Sequence, residues 1–377
     1  MSTSTQLQNL PIINPKDLYI GERIGTGGFC VVHSASMRSV RRSNLAVKCL
    51  RFDKEPTDVA EADLLREATV LASLRDRRHR NIIRVHGIST IGNVTFLVMD
   101  RLENNLFETL HCWKAHWKER PPSSRNVVVG WKRRIKDVAL GLASGLRHLH
   151  KHGIVHRDIK PGNIGFDKDG NVVLYDFGLA KIIQGAATLP SPASSPRAAP
   201  LHESLESLNL EDYYLQDPIG EEQSQTTTPS HSSSSSESTI ACSGQAGTVK
   251  YMAPEIAQCD KYGVSADVYS FGILLWELVT LRTVYKGFKT RQDVLRASVS
   301  GQRPSLRALP PHKKLRKLVN ACWHHDPSKR PSAGKIHAKL KAILNEEPPA
   351  SHLESSSSSP SPCSVSRSTE APPVLCV

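Results

Sequence analysis

The spacing of apolar residues differs between two parts of the chain: an alternation typical of strands predominates in the first part and a period typical of helices in the second. The first part, from Asp17 to about Leu110, contains one predicted helix at Thr57–Leu74 and five predicted strands, at Leu18–Ile24, Val31–Ala35, Leu45–Leu50, Ile82–Ile88 and Val94–Met99. The second part contains six predicted helices, at Phe107–His116, Trp131–Lys151, Ser265–Thr280, Thr290–Val299, Leu315–His324 and Ala333–Asn345. A hairpin of Asn163–Phe166 and Val172–Tyr175 interrupts them. We therefore expect a small strand-rich region followed by a larger helical one.

Two stretches have a composition that is unsuited to a packed core. Residues from about 184 to 245 and residues 346–377 are rich in serine and proline and poor in large apolar side chains. We predict that both are disordered. Residues 1–16 are predicted to be an irregular leader. One folded domain then covers residues 17–345 and carries the first stretch as an insert. Since 39% of the 377 residues are hydrophobic, the chain can form a sizeable core.

The cysteine content and the charge narrow the class of protein. The eight cysteines are scattered and form no CxxC pair. This pattern predicts neither a zinc site nor a disulfide framework and favours a reducing compartment, the cytoplasm or the nucleus. The net charge is +13, but the basic runs lack the interleaved aromatic residues that stack on bases. We interpret the runs as solvated helix faces, with docking surfaces for acidic partners or a nuclear signal as the alternative, and expect no nucleic acid partner. No apolar run predicts a membrane span.

A glycine-rich loop joins the first two predicted strands. The segment from Ile24 to Val32 reads I-G-T-G-G-F-C-V-V. Its glycines allow the backbone to approach phosphate groups and to offer N–H donors. Because β-branched residues follow the glycines, where a dinucleotide-binding fold would begin a helix, that fold is not indicated. Taken alone, the segment is explained equally well as an ordinary glycine-rich hairpin.

A lysine lies on the next predicted strand, in Ala46-Val47-Lys48. Strand alternation places Ala46 and Lys48 on one face, beneath the glycine-rich loop. A lysine there can neutralise phosphate charge, and it needs a carboxylate to hold it. Glu67 on the predicted helix is the candidate, and Glu61, nearer the helix start, is the alternative.

Two further motifs make the pattern specific. The segment from His156 to Asn163 reads H-R-D-I-K-P-G-N, and beyond the predicted hairpin comes Asp176-Phe177-Gly178. In this order and spacing, and together with the loop and the lysine, the motifs resemble the eukaryotic protein kinase family. The resemblance runs from about Tyr19 to Leu344 and excludes the insert. The residues Lys160-Pro161 and Thr248 resemble the pattern of serine/threonine kinases at these positions. The sequence of Ser265–Thr280 resembles that of the tyrosine-kinase-like group.

The resemblance implies an α+β fold with two lobes. A small β-rich N-lobe with one helix would cover residues 17–99, and a larger helical C-lobe would cover residues 103–345. The implied reaction is transfer of the γ-phosphoryl group of ATP to serine or threonine hydroxyls of protein substrates, with dual specificity as an open alternative. ATP and Mg²⁺ are the implied cofactors.

The resemblance also implies roles for individual residues. Asp158, Lys160 and Asn163 would be catalytic, with Asp158 orienting the substrate hydroxyl, and Asn163 and Asp176 would bind the metal. Met99 would be the gatekeeper of the ATP site. The backbone groups of Asp100 and Leu102 would bind adenine. The implied ATP-binding residues are Ile24, Gly25, Thr26, Gly27, Gly28, Phe29, Cys30, Val32, Ala46, Lys48, Glu67, Met99, Asp100 and Leu102.

Two structural contacts are implied in addition. Glu255 would pair with Arg330, and Asp267 would cap the backbone of the catalytic loop.

The alternative to an active enzyme is a kinase-fold scaffold or pseudokinase that acts by binding. That alternative predicts the loss of at least one of four residues, and the chain retains all of them: Lys48, Asp158, Asn163 and Asp176.

The chain departs from the family pattern at two places. The third glycine of the loop is Cys30, which we interpret as a small residue that the loop tolerates; the alternative hypothesis is a thiol that is redox-sensitive near bound phosphates. The activation segment, between Gly178 and Ala253, contains the long insert. In related kinases the arginine at the position of Arg157 binds a phosphate on this segment. The candidate residues of the segment are Thr239, Ser243 and Thr248. We predict that an upstream kinase orders the segment by phosphorylating Thr239 or Ser243.

Overall fold

The computed structural model describes residues 10–38, 42–51, 58–91, 94–119, 130–183, 249–258, 260 and 262–346. The described residues up to Asn345 belong to one compact unit, Met1–Asn345. The predicted insert at 184–245 and residues 347–377 of the predicted tail lie outside the described residues.

The N-lobe is a five-stranded antiparallel sheet with one helix packed against it. Its strands are β1 (Leu18–Thr26), β2 (Cys30–Met37), β3 (Arg42–Leu50), β4 (Val85–Ile91) and β5 (Val94–Asp100), in the order β1-β2-β3-β5-β4. Helix α1 (Asp58–Ser73) lies between β3 and β4 in the chain. The side chains of β3 alternate between two apolar clusters: Leu45 and Val47 pack on one face, and Ala46 packs on the other with Leu64 and Leu71 of α1.

Part of the predicted leader pairs with the edge strand of this sheet. The N–H of Ile13 donates to Ile88 O at 2.7 Å, and the N–H of Ile88 donates to Pro11 O at 3.0 Å. Leu10 and Ile13 are buried. The structure thus differs from the sequence expectation, because residues 10–16 belong to the N-lobe.

Strand β4 begins later than the sequence predicts. The predicted strand starts at Ile82, but Ile82 forms an isolated bridge with Leu174 of the C-lobe. The N–H of Ile83 also donates to Leu174 O, at 2.9 Å. The apolar run is therefore divided: its first residues link the two lobes, and only the later ones enter the sheet.

The C-lobe is helical around one buried helix. Its helices are α2 (Leu106–Glu119), α3 (Leu140–Lys151), which follows a π-helical turn (Ile135–Ala139), α4 (Pro254–Ala257), α5 (Ser265–Thr280), α6 (Arg291–Val299), α7 (Lys313–Cys322) and α8 (Ala333–Asn345). Its short strands are β6 (Asn104–Asn105), β7 (Ile154–Val155), β8 (Ile164–Phe166), β9 (Val172–Leu174) and β10 (Lys181–Ile182). Nearly every residue of α5 is buried. The expected two-lobed α+β fold is confirmed. None of the described helices is both long and apolar enough to cross a membrane.

Candidate active site

Lys48 is held by two carboxylates where the lobes meet. Its Nζ lies 2.6 Å from Glu67 Oε2 on α1 and 2.9 Å from Asp176 Oδ1. The sheet register places Lys48 opposite Val32 and Val32 opposite Gly25, so the lysine belongs to the same row of the sheet as the glycine-rich loop. Glu67 is 1% exposed and makes the contact, whereas the alternative, Glu61, is exposed.

The pKa values of Lys48, Glu67 and Asp176 depend on one another because the three charged groups lie close together. Burial alone would raise the pKa of Asp176, but the attraction of Lys48 outweighs it and lowers the pKa to about 2. Burial raises the pKa of Glu67, and Lys48 opposes that rise. Burial acts to lower the pKa of Lys48, but Asp176 and Glu67 raise it well above its ordinary value. At neutral pH Lys48 is therefore protonated and Asp176 ionised, as a site that balances phosphate charge requires.

Asp158 has one oxygen held and the other without a partner. Its Oδ2 accepts a hydrogen bond from Asn163 Nδ2 at 2.7 Å and lies 2.6 Å from Lys160 Nζ. Its Oδ1 is buried and has no hydrogen-bond partner among the described residues. Leaving a buried carboxylate oxygen unpaired is costly, and such an atom in a folded protein requires an explanation.

Asp267 holds the backbone of the catalytic loop. Its carboxylate accepts the N–H of His156 at 2.9 Å and the N–H of Arg157 at 2.8 Å, and His150 Nε2 lies 3.0 Å away. The predicted contact is confirmed. Burial would raise the pKa of Asp267, but the hydrogen bonds from His150 and His156 lower it. Arg157 has a φ of 68°, a conformation that costs a non-glycine residue energy and that these bonds stabilise.

Phe177 fixes the orientation of Asp176. Its ring is fully buried and meets the ring of His156 edge-on at 4.8 Å. Its N–H donates to Glu67 Oε1 at 3.2 Å. With the phenyl ring packed inward, the carboxylate of Asp176 faces Lys48.

Apart from Glu67, the predicted nucleotide-binding residues lie along strands β1, β2, β3 and β5 of the N-lobe sheet and in the segments next to them. The N–H of Gly27 donates to Cys30 O at 2.8 Å and closes the turn between β1 and β2. Ala46 lies opposite Met99 in the pairing of β3 with β5, and the N–H of Asp100 donates to Arg84 O at 3.0 Å. The other predicted residues lie in β1, in the turn, in β2 and in the segment after β5: Ile24, Gly25, Thr26, Gly28, Phe29, Val32 and Leu102.

The end of the activation segment is anchored by a buried ion pair. Arg330 donates to both carboxylate oxygens of Glu255, at 2.6 and 2.9 Å. The predicted pair is confirmed, and it ties α4 to the segment that precedes α8. The three candidate residues of the activation segment lie outside the described residues: Thr239, Ser243 and Thr248.

Sequence reasoning missed one further buried carboxylate in the C-lobe, that of Glu277. Glu277 Oε1 lies 2.7 Å from Lys114 Nζ of α2, and its Oε2 accepts a hydrogen bond from the hydroxyl of Tyr251. The three residues are far apart in the chain and share no local motif. The signal that could have found them is a glutamate inside the apolar helix α5, because a buried charge needs partners.

Comparisons with known proteins agree with this geometry. The family described as "Protein kinase domain" matches residues 18–200, and the family described as "Protein tyrosine and serine/threonine kinase" matches residues 230–340. The chain belongs to the eukaryotic protein kinase family. Its similarity to plant serine/threonine kinases agrees with the resemblance to the tyrosine-kinase-like group.

The relatives of the kinase include three proteins of Arabidopsis thaliana with the following similarities. The kinase is 32% identical, over 62% of its length, to a protein kinase and PP2C-like domain-containing protein, of which it covers 31%. It is 28% identical to serine/threonine-protein kinase CTR1, over 88% of this chain and 32% of that protein. It is 24% identical to serine/threonine-protein kinase STY46, over 89% of this chain and 45% of that protein. The kinase spans less than half the length of these curated relatives.

The donor set of the kinase fits the metal that its family uses with ATP. The amide nitrogen of Asn163 donates to Asp158, which leaves the amide oxygen as the atom able to bind a cation, and Asp176 is ionised. No group of three or more histidine, cysteine or acidic residues suited to a metal lies among the described residues. The oxygen donors of Asn163 and Asp176 suit Mg²⁺, which commonly takes one or two protein oxygens and completes its shell with phosphate oxygens and water.

Proposed function

We propose that this kinase transfers the γ-phosphoryl group of ATP to serine or threonine hydroxyls of protein substrates, in signalling. The observation that carries the proposal is Asp158, with one oxygen held by Asn163 and Lys160 and the other buried and unpaired among the described residues. The names of the relatives and the Lys160-Pro161 sequence support serine and threonine as acceptors.

In the proposed reaction the unpaired oxygen of Asp158 accepts the hydrogen bond of the substrate hydroxyl. The hydroxyl oxygen attacks the γ-phosphorus as the bond to the bridging oxygen of ADP breaks, and the hydroxyl proton leaves toward Asp158. Asn163 and Lys160 keep the carboxylate of Asp158 in the orientation that this transfer needs. Lys160 also places a positive charge where the transferred group carries negative charge.

Lys48 and the metal ligands hold the nucleotide in this proposal. Glu67 orients Lys48 toward the α- and β-phosphates, and Asp176 and Asn163 are the residues that would hold Mg²⁺. Bound there, Mg²⁺ neutralises phosphate charge during transfer.

The four described cysteines are free thiols, which supports our proposal that the kinase works in a reducing compartment, the cytoplasm or the nucleus.

The first test is an activity assay with two site variants and one control. We expect Asp158→Asn and Lys48→Met to lower the rate of phosphate transfer from ATP to a protein substrate at least about 100-fold, the range for loss of a positioned catalytic group. Lys168→Met is the matched control, because Lys168 is 66% exposed and pairs only with its neighbour Asp169 in the described structure. Phosphoamino acid analysis should give phosphoserine or phosphothreonine. An Asp158→Asn variant as active as wild type, or phosphate on tyrosine alone, would contradict the proposal.

A further inference from the structure

The residues that follow Asp176 are held by charged side chains from both lobes. Glu67 accepts the N–H of Phe177 at 3.2 Å, Arg66 Nη1 donates to Gly178 O at 2.7 Å, and Arg157 Nε donates to Leu179 O. Three consecutive residues are therefore fixed by ionic groups. Glu67 and Arg157 belong to the motifs that define the family, whereas Arg66 belongs to none of those motifs.

Arg66 is oriented by a second residue of α1. Its Nη1 also donates to Asp63 Oδ1, one helical turn earlier. Both side chains are partly buried, with 30% and 20% of their surface exposed. The backbone of α1 lies close to the activation segment here, because a Cβ added at Gly178 would lie 3.7 Å from Asp63 Cβ. A guanidinium fixed in this way makes a charge-assisted hydrogen bond to the carbonyl, stronger than a neutral one.

We propose that Arg66, oriented by Asp63, is a positioning residue that couples α1 to the start of the activation segment. Arg66 and Glu67 are adjacent, and they bind backbone groups of two adjacent residues, the O of Gly178 and the N–H of Phe177. An outward movement of α1 would break both bonds and would separate Glu67 from Lys48. Arg66 therefore favours the arrangement in which Lys48 is held for the nucleotide. The kinetic part of this inference rests on the proposed function.

The alternative is that the Asp63–Arg66 pair only stabilises its own helix, as oppositely charged residues at this spacing do. The chain offers a matched control for that alternative. Arg133 Nε lies 3.3 Å from Asp137 Oδ2 at i,i+4 spacing, and Arg133 is 80% exposed. Arg133→Met removes another aspartate–arginine pair within a helical segment, and this pair does not contact the described residues of the activation segment.

The kinetic experiment compares Arg66→Met, Arg66→Lys and Arg133→Met in the full chain. Loss of the bond to Gly178 lowers the population of the competent arrangement, so kcat of Arg66→Met should fall about tenfold while the KM for the protein substrate stays the same. Arg66→Lys keeps a cation that reaches one acceptor and should recover part of the rate. Arg133→Met should match wild type. Equal kcat for Arg66→Met and wild type would overturn the proposal.

Hydrogen exchange measured by mass spectrometry tests the coupling without activity. The amides of Phe177 and Ala180 donate to Glu67 Oε1 and Phe177 O, and in Arg66→Met they should exchange about tenfold faster. Amides of α5 should exchange as in wild type. Unchanged exchange at residues 177–180 would overturn the proposal. If exchange is faster in Arg66→Met but the wild-type protein has no kinase activity, the coupling is supported and the proposed function is rejected.

The conservative variant Asp63→Asn allows both experiments to be done if Arg66→Met does not fold. Asp63→Asn keeps the size of the side chain and removes its charge, so Arg66 is less firmly oriented. It should change exchange at residues 177–180 and kcat in the same direction as Arg66→Met, by a smaller factor. Wild-type exchange and wild-type kcat in Asp63→Asn would remove the orienting role that the proposal gives to this residue.

Discussion

Cys30 occupies the third glycine position of the phosphate loop, within the electrostatic field of Lys48. Burial raises the pKa of the Cys30 thiol to about 11, although Lys48 acts to lower it. Only the thiolate reacts readily with peroxide. With a pKa near 11, about one thiol in 10,000 is ionised at pH 7. The structure therefore gives no support to the hypothesis of a redox-sensitive thiol, and it favours a small residue tolerated in the loop.

The pKa of Cys30 leads to a prediction for its alkylation. We expect the rate of its reaction with iodoacetamide, followed by mass spectrometry of the Cys30 peptide, to rise about tenfold per pH unit between pH 8 and pH 10. The sign follows from the raised pKa, because the reactive thiolate forms only as the pH approaches 11. Cys30→Ser identifies the labelled peptide. A rate that levels off below pH 8 would show a thiol that is already ionised and would contradict this account.

At the scale of elements, the segment before β1 and the edge strand β4 depend on Gly87. A Cβ added at Gly87 would lie 2.2 Å from Pro11 O and 3.0 Å from the side chain of Ile13. The hydrogen bonds of Ile88 with Pro11 and Ile13 require this close approach. We expect Gly87→Ala to lower the free energy of unfolding by about 1–3 kcal/mol, the usual cost of overpacking, as measured by chemical denaturation.

Two controls isolate the cause of that loss. Gly263→Ala adds the same methyl group where no atom lies within 4 Å, so it should leave stability nearly unchanged. In a chain that begins at Asn14, the atoms that a Cβ at residue 87 would meet are absent. Gly87→Ala should then cost little. A full loss of stability in the shortened chain would mean that the contact with Pro11 is not responsible.

The elements show which parts of the fold were predictable. Helices α5 and α8 were predicted with the observed bounds, Ser265–Thr280 and Ala333–Asn345, because long apolar periods define them. The pairing of Leu10–Ile13 with β4 was missed, since four residues are too few to show a period. The start of β4 was misplaced because an apolar residue such as Ile82 carries no information about which sheet it joins.

At the scale of the whole molecule, both lobes contribute to the candidate site. Lys48, Asp158, Asn163 and Asp176 were identified from sequence because phosphoryl transfer needs these residue types inside short motifs. The contacts of Arg66 with Gly178 and of Lys114 with Glu277 were not identified. They join residues more than 100 positions apart, and only the folded chain brings them together.

Arg157 contacts the chain on both sides of the undescribed stretch 184–248. Its guanidinium donates to Leu179 O before that stretch and to the hydroxyl of Tyr262 after it, at 2.7 Å. A guanidinium has five N–H donors, so these bonds are compatible with a further acceptor. A phosphate near neutral pH carries between about −1.5 and −2 charges and three acceptor oxygens. Bound to Arg157, a phosphate on Thr239 or Ser243 would connect the segment to the catalytic loop beside Asp158.

We therefore expect the double variant Thr239→Ala, Ser243→Ala to have a kcat about tenfold below that of the phosphorylated kinase, because the competent arrangement of the segment is less populated. Phosphatase treatment of wild type should lower kcat to the same level and should leave the double variant unchanged. Ser191→Ala with Ser195→Ala is the matched control, since it removes two hydroxyls of the same insert far from Val249 in the chain. If the double variant and the phosphorylated wild type have equal kcat, the segment is ordered without phosphate, and the contacts of Arg157 with Leu179 and Tyr262 suffice.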